Sequence, residues 1–245
     1  MTIPTDLHNF VLIGQSNMVG RATLPDTQTS YYNSIYVYGN DGAWKENTNT
    51  HEPVDNAANQ IDQVSADVNA EYGCSLKFAK RLVWSKGTNY HVGLIPCAKG
   101  GSSMVAWQPK CPRDDRNTLY GSMMARIDEA QLNGNLTGAV IIQGESDTGT
   151  WKNWLLWRGG FVNLVDALRA DMGFALPVVF AKLGTAPEGK PYWNNLRADM
   201  LTVSAMTDVM MVSTDDLERD EYLHYSQAGY DTLGIRLADA MMEMI

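Results

Sequence analysis

The run Ala139-Val140-Ile141-Ile142 carries no polar side chain on either side of an extended backbone. Side chains alternate across a strand, so apolar residues at every position require cover on both faces. A parallel sheet sandwiched between helices supplies that cover. Similar β-rich runs occur at 9–14, 34–38, 91–96, 177–182 and 209–213, and the 139 run extends to residue 143. Strand alternates with helix between them, so the expected fold is α/β, a three-layer α/β/α sandwich.

Two helical stretches are explicit. Tyr230, Leu233, Leu237, Ala240, Met241 and Met244 recur at three- and four-residue steps, as do Leu76, Ala79, Leu82 and Val83, so each set lines one face and should pack on the sheet. Residues 39–70 are different, being rich in Asn, Asp, Gln and Thr without a sustained period. They read as a long, partly irregular insertion of the kind that shapes substrate sites. With 245 residues, 44% of them hydrophobic, the chain is expected to form one domain over 1–245.

The formal net charge is −9, which repels a polyanion, and no basic stripe reverses it locally, so nucleic acid is not the expected partner. No apolar run is long enough to cross a bilayer, and the N-terminus lacks a signal-peptide pattern, so the chain reads as soluble and unexported. A leader removed beforehand would leave the same sequence, and the compartment stays open, as does the oligomeric state. Cys74, Cys97 and Cys111 are widely spaced with no C-x-x-C pair, which argues against a structural zinc and a disulfide framework. A Cys97 to Cys111 bridge is a possible pairing but not the favoured one.

Ligands of parallel α/β sheets bind beyond the carboxyl ends of the strands, and four such places carry chemistry. After the first strand comes Gly14-Gln15-Ser16-Asn17-Met18-Val19-Gly20-Arg21, which puts the Ser16 hydroxyl at a turn where backbone N–H groups are free to face an oxyanion. After the third comes Pro96-Cys97-Ala98-Lys99-Gly100-Gly101-Ser102-Ser103, whose glycines let amides approach a ligand, Gly101 above all. After the fourth comes Gln143-Gly144-Glu145-Ser146-Asp147, where a glutamine can offer a side-chain N–H to the same oxyanion. Glu145 and Asp147 would oppose an oxyanion, so they are expected to orient neighbours. Last comes Asp215-Asp216-Leu217-Glu218-Arg219-Asp220-Glu221-Tyr222-Leu223-His224; a base needs a carboxylate on its second ring nitrogen, and Glu221, three residues before His224, is the obvious candidate. Taken singly these are an N-cap serine, a Gly-Gly turn and a solvated acidic loop. Together, in a chain with four histidines, they point to a serine hydrolase.

The same blocks resemble the SGNH (GDSL) hydrolases, and within them the carbohydrate esterases of the sialate O-acetylesterase and acetylxylan esterase type. Gly-Gln-Ser-Asn-Met with Gly20-Arg21 looks like the first block, and Arg21 favours the acetylxylan-esterase-like branch. Pro96-Cys97-Ala98-x-Gly100-Gly101-Ser102 looks like the second, Gln143 to Asp147 like the third and Glu221-x-x-His224 like the last, in order from Val11 to Gly234. The resemblance implies a flavodoxin-like sheet of order 2-1-3-4-5, no metal and no cofactor. It implies Ser16 as nucleophile, His224 as general base, an acyl-enzyme, and an oxyanion hole of Ser16 N–H, Gly101 N–H and the Gln143 side chain. Gln15, Asn17, Arg21, Trp107 and Glu145 would bind substrate or support the site. One departure matters: the family usually has Asp three residues before the histidine, where this chain has Glu221, so Asp220 is an alternative acid. The implied partner is an acetylated oligo- or polysaccharide, in a microbe or on a phage particle.

Trp44, Trp107, Trp151, Trp154 and Trp157 suit stacking on sugars or packing in a core; Trp107, just beyond the Gly100-Gly101 loop, is expected near the substrate. Three rivals stand beside the esterase. A thiol hydrolase would use Cys97. A hydrolase fold that has lost catalysis would serve as a carbohydrate-binding or virion-attachment module. A flavodoxin-like nucleotide binder lacks a glycine-rich phosphate loop at the first turn.

Overall fold

The computed structural model describes residues 2–23, 34–46 and 70–245. The apolar runs become strands β1 (Leu7–Gly14), β2 (Ile35–Tyr38), β4 (Val92–Ala98), β5 (Gly134–Ile142), β6 (Val178–Ala181) and β7 (Val209–Val212), joined by a short β3 (Trp44–Glu46). The helices are α1 (Ser16–Val19), α2 (Ser75–Lys86), α3 (Leu119–Ala130), α4 (Trp151–Met172), α5 (Trp193–Val203) and α6 (Gln227–Met242).

One seven-stranded sheet runs β3-β2-β4-β1-β5-β6-β7. All neighbours are parallel except β3, which pairs antiparallel with β2. Numbered among themselves in chain order, β4-β1-β5-β6-β7 have the implied order 2-1-3-4-5, and β2 with β3 extends the β4 edge. The strand alternation of β1 divides the core in two. Val11 and Ile13 pack with Met124, Trp157, Phe161 and Leu196 under α3, α4 and α5, while Phe10 and Leu12 pack with Phe78, Leu82, Leu233 and Leu237 under α2 and α6. This is the expected α/β/α sandwich.

Local chemistry ends the elements where they end. Thr118, Thr150 and Ser226 cap α3, α4 and α6, each side-chain oxygen accepting a first-turn N–H. α4 stops at Gly173, whose left-handed φ of 76° suits a residue without Cβ. Gly234 lets α6 lie against α2, because a Cβ there would stand 2.5 Å from Cys74 O.

Three details refine the expectations. The segment read as partly irregular from residue 39 contains β3, a three-residue edge strand too short to show a period; residues 47–69 of that segment lie outside the described residues. β5 begins five residues earlier than the apolar run, at Gly134, because its first half alternates exposed and buried positions like a half-covered strand. Cys97 is sealed in β4 and Cys111 is exposed, and both are free thiols with Cys74, in line with the bridge between them not being favoured. Among the described residues no helix is long and apolar enough to cross a membrane.

Candidate active site

β1 sits at the centre of the sheet and delivers the first candidate group. The chain leaves the strand through Gly14 at φ +148°, where a Cβ would lie 1.9 Å from Ile142 O, so only glycine lets the backbone turn this close to β5. Gln15 N–H then donates to Ile142 O at 3.0 Å, and Ser16 opens α1. Asn17, Met18 and Val19 are buried, which fixes the turn and leaves Ser16 facing out.

The structure brings Ser16, His224 and Glu221 into one hydrogen-bonded line across more than two hundred residues of sequence. His224 Nε2 is 3.0 Å from Ser16 Oγ, and His224 Nδ1 is 3.1 Å from Glu221 Oε2. With Nδ1–H donating to the carboxylate, Nε2 is the acceptor for the Ser16 hydroxyl proton. Glu221, not Asp220, meets the histidine. The Glu221 side chain is 69% exposed against 22% for His224, so this carboxylate stands in solvent.

The histidine loop is held from beneath. Asn17 Nδ2 donates to Leu223 O at 3.0 Å and to Glu145 Oε1 at 2.5 Å, while Asn17 Oδ1 accepts from the Tyr230 hydroxyl at 2.9 Å. Leu223 immediately precedes His224, so Asn17 ties α1 to the loop that carries His224. Glu145 is 2% exposed, its Oε2 has no partner, and burial pushes its carboxyl above the usual range. Lys190 Nζ lies 3.3 Å from Glu145 O at the rim, a cation that no motif marked.

The glycine loop is held by a second buried set. Lys99 N–H donates to Gly14 O at 2.9 Å. Asp147, fully buried, accepts Met104 N–H at 3.1 Å on each oxygen, and its pKa is pushed up from 3.8 to about 6 by desolvation. Gly101 itself is exposed at φ +72° with open space around it, and its N–H has no partner among the described residues. Ser16 N–H is equally unpaired.

Gln143 departs from expectation. Its Nε2 donates to Asp147 Oδ2 at 2.5 Å and to Ser102 O at 3.3 Å, and its Oε1 accepts from Trp157 Nε1 at 2.7 Å. An amide nitrogen has two hydrogens, and both are engaged within the protein, so the side chain is a brace and not an open donor. Trp107 is also corrected. Its indole is 0% exposed and donates to Ser102 Oγ at 3.0 Å, so it has no face free for a sugar; the volume of the ring fills the core under the loop. Trp157 is buried and Trp154 stacks on Tyr192, while Trp151, first residue of α4 after the Glu145–Thr148 turn, is 60% exposed. Arg21 lies partly exposed at the exit of α1, and Gln15 Oε1 accepts Ser146 N–H at 3.1 Å.

This geometry can be set beside known proteins. The sequence profile of the family described as carbohydrate esterase, sialic acid-specific acetylesterase, matches residues 6–243. A protein of Arabidopsis thaliana named as a probable carbohydrate esterase is 26% identical over 251 residues, covering 95% of this chain and 89% of its own. The crystal structure of that Arabidopsis protein superposes with a TM-score of 0.79 at 23% identity, over 97% of this chain and 98% of that one. A carbohydrate acetylesterase from Xanthomonas citri gives 0.71 at 20% identity, over 97% and 56%. NanS gives 0.71 at 16% identity, over 99% and 98%.

Proposed function

The chain belongs to the carbohydrate esterase family of sialic acid-specific acetylesterases, and from that premise we propose that it is a serine esterase removing O-acetyl groups from a carbohydrate through an acyl-enzyme. The observation that carries this reading is the line from Ser16 Oγ to His224 Nε2 at 3.0 Å and from His224 Nδ1 to Glu221 Oε2 at 3.1 Å. The three residues act as nucleophile, base and orienting acid.

In acylation, Ser16 Oγ attacks the ester carbonyl as its proton passes to His224 Nε2, and the carbonyl electron pair moves onto oxygen. The unpaired N–H groups of Ser16 and Gly101 receive that oxyanion. Collapse breaks the bond to the sugar oxygen, which takes the proton from His224 and leaves as the hydroxyl, and water repeats the sequence on the acetyl-enzyme to release acetate. Residues 1–245 form one such domain in this reading. The substrate is an acetylated oligo- or polysaccharide, and Trp151, exposed at the start of α4 just after the Glu145–Thr148 turn, offers its indole to a sugar ring.

A Cys97 thiol mechanism loses its ground, since Cys97 is fully buried within β4. The test is acetate release from 4-nitrophenyl acetate and from acetylated xylan and other acetylated glycans, comparing wild type with Ser16→Ala. Release abolished by the substitution supports the reading. Equal release by both proteins would overturn it, and glycan binding with no release by the wild type would make the protein a binding module.

A further inference from the structure

The loop that carries Gly101 is tied at both ends. At its start Lys99 N–H donates to Gly14 O at 2.9 Å, on the strand end that delivers Ser16. At its far end the ties converge on one acid, Asp147, which is 0% exposed and lies in the Glu145–Thr148 turn after β5. Asp147 accepts Met104 N–H at 3.1 Å on each carboxylate oxygen. Its Oδ2 also accepts Gln143 Nε2 at 2.5 Å, and the same Nε2 reaches Ser102 O at 3.3 Å. Ser102 follows Gly101 directly and Met104 stands two residues further on, so the place of Gly101 depends on this carboxylate.

The surroundings of Asp147 suit the anion. Its partners among the described residues are N–H donors, so a proton added to either oxygen meets no acceptor and displaces a donor. Gln143 cannot answer by turning its amide over, because its Oε1 already accepts Trp157 Nε1 at 2.7 Å. Burial works the other way, raising the carboxyl from 3.8 to about 6, and Glu145 on the same turn adds a like charge. The groups that face Asp147 from the glycine loop, β5 and α4 are Met104 N–H, the Gln143 amide and, behind it, the Trp157 indole, and none of them titrates. We propose that Asp147 is a positioning residue for the acyl transfer, its negative charge holding Gly101 N–H where the oxyanion forms, so that turnover requires both His224 and Asp147 to be deprotonated. Asp147 touches no reacting atom and takes no proton in the reaction; the Ser16 proton still goes to His224. The inference rests on the acyl-enzyme reading above.

The test is the pH profile of wild type and Asp147→Asn, which keeps the shape but has one oxygen for two donors and no charge at any pH. Both proteins are measured for kcat and KM on 4-nitrophenyl acetate from acid to alkaline pH, and for Tm. Affinity is measured toward an alkyl boronic acid, which forms an anionic tetrahedral adduct on a nucleophilic serine. On the acid side, log(kcat/KM) of the wild type should rise with a limiting slope of about 2, one proton from each group, and that of the variant with about 1, from His224 alone. At neutral pH the variant should lose about 100-fold in kcat, the cost of a misplaced group, with KM little changed and boronate affinity falling in parallel. A wild-type slope of about 1 overturns the inference whether or not the variant folds. So does a folded variant with kcat within about 3-fold of wild type, or a slowed variant that keeps the wild-type slope, which would make Asp147 structural only. In each of these cases an inactive Ser16→Ala leaves the serine esterase standing. Equal hydrolysis by wild type and Ser16→Ala overturns the esterase reading, and this inference with it.

Discussion

Replacing Glu221 by Gln preserves side-chain length and an oxygen for His224 Nδ1–H while removing the charge. In the proposed acylation, His224 takes the Ser16 proton and becomes a cation 3.1 Å from the Glu221 carboxylate. Coulomb's law puts that attraction at ~1.3 kcal/mol in the dielectric of water and ~5 kcal/mol at an effective constant of about 20. In rate these are roughly 10-fold and on the order of 10⁴-fold. The two values are far apart, and exposure selects between them: the Glu221 side chain is 69% exposed, so water screens the pair and the lower value governs. Glu221→Gln should therefore lose about 10-fold in kcat/KM on 4-nitrophenyl acetate, where the buried acid of a serine protease triad is worth about 10⁴ in kcat. Salt gives an independent readout. The Debye length shrinks from about 10 Å at 0.1 M to about 3 Å at 1 M, so wild-type activity should fall toward that of the variant while the variant holds steady. Asp220→Asn should stay within about 2-fold of wild type, since Asp220 makes no bond to His224. A loss approaching 10⁴, or an effect indifferent to salt, would refute the argument that solvent sets the worth of this acid.

Asp147 makes stability depend on pH in a defined sense. Its carboxyl is raised from 3.8 to about 6, so between those values the folded state binds more protons than the unfolded one and stability falls as pH rises; the linkage amounts to ~3 kcal/mol. Asp147→Asn removes that dependence, so the stability of wild type relative to the variant should drop by about 2 kcal/mol, the share of the linkage that falls between pH 4 and pH 6.5, in urea titrations. A difference constant with pH would contradict the assignment. Trp151→Ala should raise KM for an acetylated oligosaccharide about 2- to 10-fold, the worth of one stacked ring, and by clearly more than KM for 4-nitrophenyl acetate. Equal changes on both substrates would remove Trp151 from sugar binding.

The sequence exposes whatever follows from period and position. Apolar runs placed the parallel strands to within a few residues, except at the polar start of β5, and reading the residues after each strand singled out Ser16, Gly101 and His224, which the fold brings to one end of the sheet, while Gln143 turns inward. The spacing from Glu221 to His224 was legible because both lie in one short loop. The 22 residues of α4 were not delimited, because Gly159-Gly160 interrupts the middle and Trp151, Leu155 and Leu156 are exposed, which blurs its apolar face. β3 is too brief for any alternation to register. Pairings between distant side chains were hidden altogether. Nothing in the sequence marks Trp157 as the donor to Gln143 Oε1, or Asn17 as the donor to a glutamate 128 positions away.

The carboxylates that follow β5 show why such pairings matter for chemistry. Two acids beside an oxyanion site would raise the barrier if they faced the reacting oxygen. Each is instead turned into the protein in a different direction. Asp147 takes Met104 N–H and Gln143 Nε2, so it anchors the loop that presents Gly101. Glu145 takes Asn17 Nδ2, whose second hydrogen reaches Leu223 O, so it anchors the loop that presents His224. One turn at the end of β5 thus fixes the electrophilic side of the site through one acid and the basic side through the other. Loosening the two sides should have separable consequences: disturbing Asp147 weakens the grip on a tetrahedral adduct, and disturbing Glu145 weakens the alignment of the base with Ser16. The short polar segment Gln143-Gly144-Glu145-Ser146-Asp147 serves the proposed reaction as scaffold, with each buried charge spent on a backbone or amide donor that holds a reacting group in place.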